Sequence, residues 1–132
     1  DLSGVRLHYL VAGQGDPVVL LHGYTQTSHM WRPLMAALAT THTVIAPDLR
    51  GVGQSSTPAD RYTEEFARFA QTPLPMPMLV LTGERASGEF LIAQGRLVAT
   101  HVEGVIVRHA GHWLMEEAPD QVILTLVDFL GR

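Results

Sequence analysis

Four short runs of wholly apolar residues, each bounded by turn-forming chemistry, leave this chain few ways to fold: Val18–Leu21, Val44–Ala46, Met78–Leu81 and Val105–Val107. Runs this brief suit strands better than helices, and a strand that is apolar at successive positions needs cover on both faces. Between them, apolar residues recur at helical spacing. Trp31, Leu34, Met35 and Leu38 follow Ser28 as N-cap. Phe90, Leu91, Leu97 and Val98 share a helix that Gly95 weakens in its middle. Val122, Leu126, Phe129 and Leu130 form one face of a last helix, with Pro119 in its first turn. A shorter helix is expected over Thr63–Phe69, closed by Pro73, Pro75 and Pro77. Val5–Val11 alternates apolar and polar residues as a half-buried edge strand does, and Ala12–Pro17 is turn chemistry that sends the next strand back. Strands alternating with helices predict an α/β domain whose mostly parallel sheet holds all four runs.

The 132 residues are the size of one domain, and 46% of them are hydrophobic, enough to fill a core. All nine basic residues are arginines, placed singly along the chain. No basic stripe forms, which argues against nucleic acid and anionic membrane surfaces as partners. Cysteine is absent, which removes disulfides, thiol nucleophiles and cysteine-held metals. No apolar stretch approaches the roughly 20 residues of a membrane span. Neither a metal site nor a cofactor is expected. The chain starts at Asp1 with no charged-then-apolar leader, which reads as a trimmed, soluble, cytoplasmic domain.

Three segments could carry chemistry. The first is His22-Gly23-Tyr24-Thr25-Gln26, directly after an apolar strand. Ligand sites in open α/β sheets lie beyond strand carboxyl ends, and Gly23 lets the backbone turn and present amide hydrogens to an oxyanion. The competing explanation is a strand-to-helix turn that merely needs a glycine. The second is His109-Ala110-Gly111-His112-Trp113, after the last strand. His112 suits a general base beside an apolar pocket walled by Trp113, whereas His109 reads as a satisfied loop histidine. The third, Asp48 to Ser56, superficially resembles a dinucleotide loop, but Pro47 and Asp48 interrupt the geometry. It reads as a structured loop in which Asp48 accepts backbone hydrogens with Arg50 pairing nearby. Glu116 and Glu117, just before the last helix, are explained by its dipole. Glu84 reads as a local hydrogen-bonding residue.

Taken in order, HGYTQTSHMWRPLMAALA, VIAPDLRGVGQSSTP, PMPMLVLTGE and GVIVRHAGHWLMEEAPDQVILTLVDFL resemble the α/β-hydrolase superfamily. They are most similar to its branch of soluble epoxide hydrolases and haloalkane or fluoroacetate dehalogenases. The resemblance implies a three-layer sandwich, an oxyanion hole at Gly23 and Tyr24, His112 as catalytic base, and Trp113 in the pocket wall. Gly23–Tyr24 and His112 should then share one cleft. It also implies water addition to a small apolar epoxide or ester-like substrate through a covalent ester. The family's nucleophile stands on a Gly-x-Asp-x-Gly or Gly-x-Ser-x-Gly elbow, and neither pattern occurs here. No nucleophile is therefore assigned. Against the family pattern the single domain, 1–132, lacks central strands and the cap, with a junction near 62–66. The expectation is an incomplete or inactive hydrolase. The alternative is a non-catalytic, self-associating remnant or an engineered minimal scaffold, and lost central strands favour a homo-oligomer.

Overall fold

All four apolar runs fall on strands or their immediate continuation in the computed structural model, which describes residues 5–57 and 71–131. The chain divides into two compact units, Asp1–Asp60 and Arg61–Arg132. The helix expected over Thr63–Phe69 and the junction expected near 62–66 lie outside the described residues.

In the first unit, β1 (Tyr9–Ala12), β2 (Asp16–Val19) and β3 (His42–Pro47) form a sheet in the order β1-β3-β2. β3 pairs antiparallel with β1 and parallel with β2. The chain does reverse after β1, as its turn residues require, yet β2 joins β3 instead of β1. Gly13, at φ 81°, sits so close to the start of β3 that a Cβ there would overlap the His42 carbonyl oxygen. A 3₁₀ turn, Ser28–Trp31, leads into α1 (Arg32–Leu38). Its cap is Thr27, one residue before the expected Ser28, with the Thr27 hydroxyl accepting the His29 N–H at 3.4 Å. Val44 and Ala46 are fully buried, with Leu20, Trp31, Leu34, Met35 and Leu38 around them. Burying a side chain such as Val44 stabilises the unit by about 1.5–3 kcal/mol. The two-sided cover expected for Val18–Leu21 is not found. Leu20 is buried while Val19 and Leu21, on the opposite face, stay more than half exposed.

In the second unit, β4 (Leu74–Gly83) and β5 (Ala99–Val107) pair in parallel, joined by α2 (Glu89–Val98). The four runs thus divide between two sheets among the described residues, which corrects the single sheet expected. Local apolarity marks a strand but carries no record of its hydrogen-bond partner. β4 also starts earlier than expected and takes in Pro75 and Pro77, with an irregular register between Leu74 and Pro77. Among the described residues it pairs on one side alone, where prolines are tolerated.

The buried face of α2 carries Ile92 and Gly95, while Phe90 and Leu97 point to solvent. Packing explains the glycine: a Cβ at position 95 would lie 2.7 Å from Val80 Cγ2, so the helix rests directly on the sheet. After β5, a loop leads to the single turn α3 (Leu114–Glu117), where only loop was expected, and then to α4 (Pro119–Leu130). Val122 and Leu126 bury the inner face of α4, as its spacing predicts. No helix among the described residues is long and apolar enough to cross a membrane.

Candidate active site

β2 delivers the chain into the first candidate segment. The Leu20 N–H donates to the Ile45 carbonyl at 2.8 Å, and the backbone then leaves the sheet. His22, only 4% exposed, holds the departure in place. Its Nε2 accepts the Leu49 N–H at 2.9 Å, and its Nδ1 lies 2.8 Å from the Gly23 carbonyl oxygen. A backbone N–H can only donate, so Nε2 is the acceptor and Nδ1 carries the proton given to Gly23. One neutral imidazole therefore ties this turn to the loop after β3. Gly23 and Tyr24 stand on the exposed turn, Tyr24 at 84%, followed by Thr25 in the left-handed region at φ 60°.

Asp48 braces the same loop from inside. It is 2% exposed and accepts from the Ser28 N–H at 2.7 Å, the Gln54 N–H at 3.0 Å and His8 Nδ1 at 3.0 Å. Its own N–H donates to the His8 carbonyl, and its carbonyl accepts the Ser55 hydroxyl. Burial alone would raise the carboxyl pKa; the hydrogen bonds from Gln54, Ser28 and His8 outweigh it and hold the group well below the ordinary carboxylate range. Gly53, at φ 57°, leaves the space that the carboxylate fills. The expectation that Asp48 accepts backbone hydrogens is met, and the acceptor proves buried.

In the second unit, Gly83 ends β4 against the loop after β5, where a Cβ would overlap the Gly111 carbonyl oxygen. Glu84 accepts the His109 N–H at 2.7 Å, reaching across to the loop after β5 instead of bonding within its own loop. His109 itself sits in the loop at φ 59°, its side chain 81% exposed and its Nδ1 3.7 Å from Glu84 Oε2. His112 and Trp113 follow, exposed, their rings edge-to-face at 82° with centroids 5.1 Å apart. Glu117 reaches back to accept the Gly111 N–H at 2.7 Å and the Trp113 N–H at 3.0 Å. Those two bonds, ahead of attraction to Arg85 and His112, hold its carboxyl below the ordinary glutamate value. Sequence reasoning explained Glu117 by a helix dipole and missed this contact. The overlooked signal is its spacing, four residues beyond Trp113 and six beyond Gly111.

Gly23 and Tyr24 thus stand in the first unit, and His112 and Trp113 in the second. Each pair follows the carboxyl end of a strand, the location the sequence indicated. Among the described residues no three His, Asp or Glu side chains group as a metal site.

Residues 16–79 match the family described as alpha/beta hydrolase fold. These residues, with the relatives below, support an assignment to the α/β-hydrolase superfamily. A 57-residue segment of this chain is 54% identical to the soluble epoxide hydrolase of Corynebacterium sp. (strain C12), covering 43% of this chain and 20% of that protein. A 58-residue segment is 43% identical to the fluoroacetate dehalogenase of Burkholderia sp., covering 44% and 19%. The matched segments thus span about a fifth of the length of these curated relatives. Among solved structures, the Cif epoxide hydrolase from Acinetobacter nosocomialis aligns with a TM-score of 0.71 at 16% identity, over 97% of this chain and 86% of that one. At that identity the likeness shows the fold.

Proposed function

We propose that this chain carries parts of an epoxide-hydrolase-type machinery for small apolar epoxides or esters, and that without an elbow nucleophile it is nearly inactive. The observation that carries the reading is the His112 loop: an exposed imidazole at a strand's carboxyl end, edge-on to an indole, on a backbone braced by Glu117. In such a reaction a carboxylate opens the epoxide to an ester. A histidine then takes a proton from water as the water adds to the ester carbonyl, and backbone N–H groups hold the oxyanion. His112 suits the proton step, and the Gly23–Tyr24 turn suits oxyanion donation. The covalent step lacks its residue, because no Gly-x-Asp-x-Gly or Gly-x-Ser-x-Gly occurs.

A second reading, a non-catalytic and self-associating protein of the cytoplasm, is favoured by one observation. Among the described residues β2 is an outer strand of its sheet, and Val19 on it and Leu21 just beyond it, 57% and 53% exposed, give apolar surface suited to a second chain. The test is the purified chain assayed with styrene oxide and p-nitrophenyl acetate, beside light scattering. Epoxide turnover should stay near the buffer rate, with a slow ester hydrolysis that His112→Ala returns to the buffer rate. Robust epoxide turnover abolished in His112→Ala would show a nucleophile outside any elbow and sink the inactive reading. Ester hydrolysis indifferent to His112→Ala removes His112 as base, and a monomer at micromolar concentration removes self-association.

A further inference from the structure

We infer that Glu117 is the positioning residue for His112, its carboxylate gripping the backbone on both sides of the imidazole-bearing residue. The inference rests on reading His112 as the base, but its geometry stands apart from any turnover. The two oxygens divide the work: Oε2 accepts from Gly111 and Oε1 from Trp113, the immediate neighbours of His112. Rotating the backbone at His112 therefore breaks at least one charge-assisted bond. The grip is closed from the other side as well. The Glu116 and Glu117 N–H groups donate to the Trp113 carbonyl at 3.1 and 2.8 Å, so Trp113 is bound to the same turn through both its polar backbone groups. Position 111 fits this use. A Cβ there would stand 3.0 Å from Glu117 Oε1, and glycine leaves the carboxylate its place.

A dipole role accounts for less. Glu117 lies in the single turn of α3, just before the cap of α4, and Asp120 already serves the first turn of α4. Neither consideration calls for a carboxylate aimed backward at two particular amides. Its consequence is an imidazole held on a fixed backbone and set edge-on to Trp113, instead of one carried by a free loop.

The test is nuclear magnetic resonance on the full chain, where Trp113 should shift the His112 ring protons through its ring current. In Glu117→Ala that displacement should collapse, and the Gly111 and Trp113 amides should exchange about 10-fold faster or more. Val107 and Ile92 should keep their signals. Glu117→Gln retains one carbonyl oxygen and should rescue one of the two amides. An unchanged His112–Trp113 displacement with unchanged amide exchange in Glu117→Ala overturns the inference. If Glu117→Ala does not fold, Glu117→Gln decides, and two amides exchanging as in the parent overturn it. Loss of loop order in a chain whose ester hydrolysis ignores His112→Ala would break the proposed function and leave the grip standing.

Discussion

Asp48 in the first unit and Glu84 in the second each accept a backbone N–H at 2.7 Å, from Ser28 and from His109. The bonds are alike in length and chemistry, but their surroundings differ. Asp48 is 2% exposed and joins three segments of chain, near His8, Ser28 and Gln54. The Glu84 side chain is 51% exposed and joins the ends of two neighbouring strands. A bond's length does not set its worth. What matters is whether water can replace the lost partner. In the first unit charge-assisted bonds hold a loop from within, whereas in the second they hold loops from outside, where solvent competes.

The largest effect should come from removing the buried acceptor. Asp48→Ala strands the Ser28 N–H in a dry environment and opens a cavity, at a cost of about 2–4 kcal/mol, a large part of a domain's stability. Trp31, buried in the turn that Ser28 begins, reports on it. In a Trp113→Phe background the urea midpoint read by Trp31 fluorescence should fall sharply. A midpoint within error of the parent would mean that water reaches Ser28 after all, and the contrast with Glu84 would dissolve.

Acid should act on the same bond. The folded pKa of Asp48 lies below its ordinary value of 3.8, so its stabilisation is complete above that value and lost as pH falls through the folded one. The Trp31 midpoint should therefore decline between about pH 5 and pH 2, and more gently in Asp48→Asn, whose side chain has no proton to bind. Parallel decline in the two proteins would assign the acid sensitivity to other carboxylates.

These contrasts also show what the sequence made legible. Val44 and Val107 announce buried strands because apolarity is local information, and the turn residues beside them mark the ends. Strand partners are long-range, so two sheets could not be told from one. Gly95 looked like a flaw in a helix because Val80, which needs that space, lies fifteen residues away. Pro75 and Pro77 looked like a stop because the free side of β4 was invisible. For the candidate site, the position of Gly23, Tyr24, His112 and Trp113 after strand ends was readable, while their roles rest on the resemblance. His22 and Glu117 were not, since residue type records a charge or a ring and says nothing of where it is aimed.

The smallest effect should belong to Glu84, and it sharpens the comparison because its bond matches that of Asp48 in length. Its carboxyl is held below the ordinary glutamate value chiefly by the His109 N–H, which shows the bond favours the charged form. Yet Glu84→Gln leaves an amide oxygen that can still accept, and water stands ready to serve His109 if it does not. The urea midpoint read by Trp113 in a Trp31→Phe background should not move measurably. The one expected change is faster exchange of the His109 amide, on a residue already held at φ 59°. A midpoint shift as large as that of Asp48→Ala would mean that the geometry of this bond, rather than its burial, sets its value. The distinction between the two units would then fail.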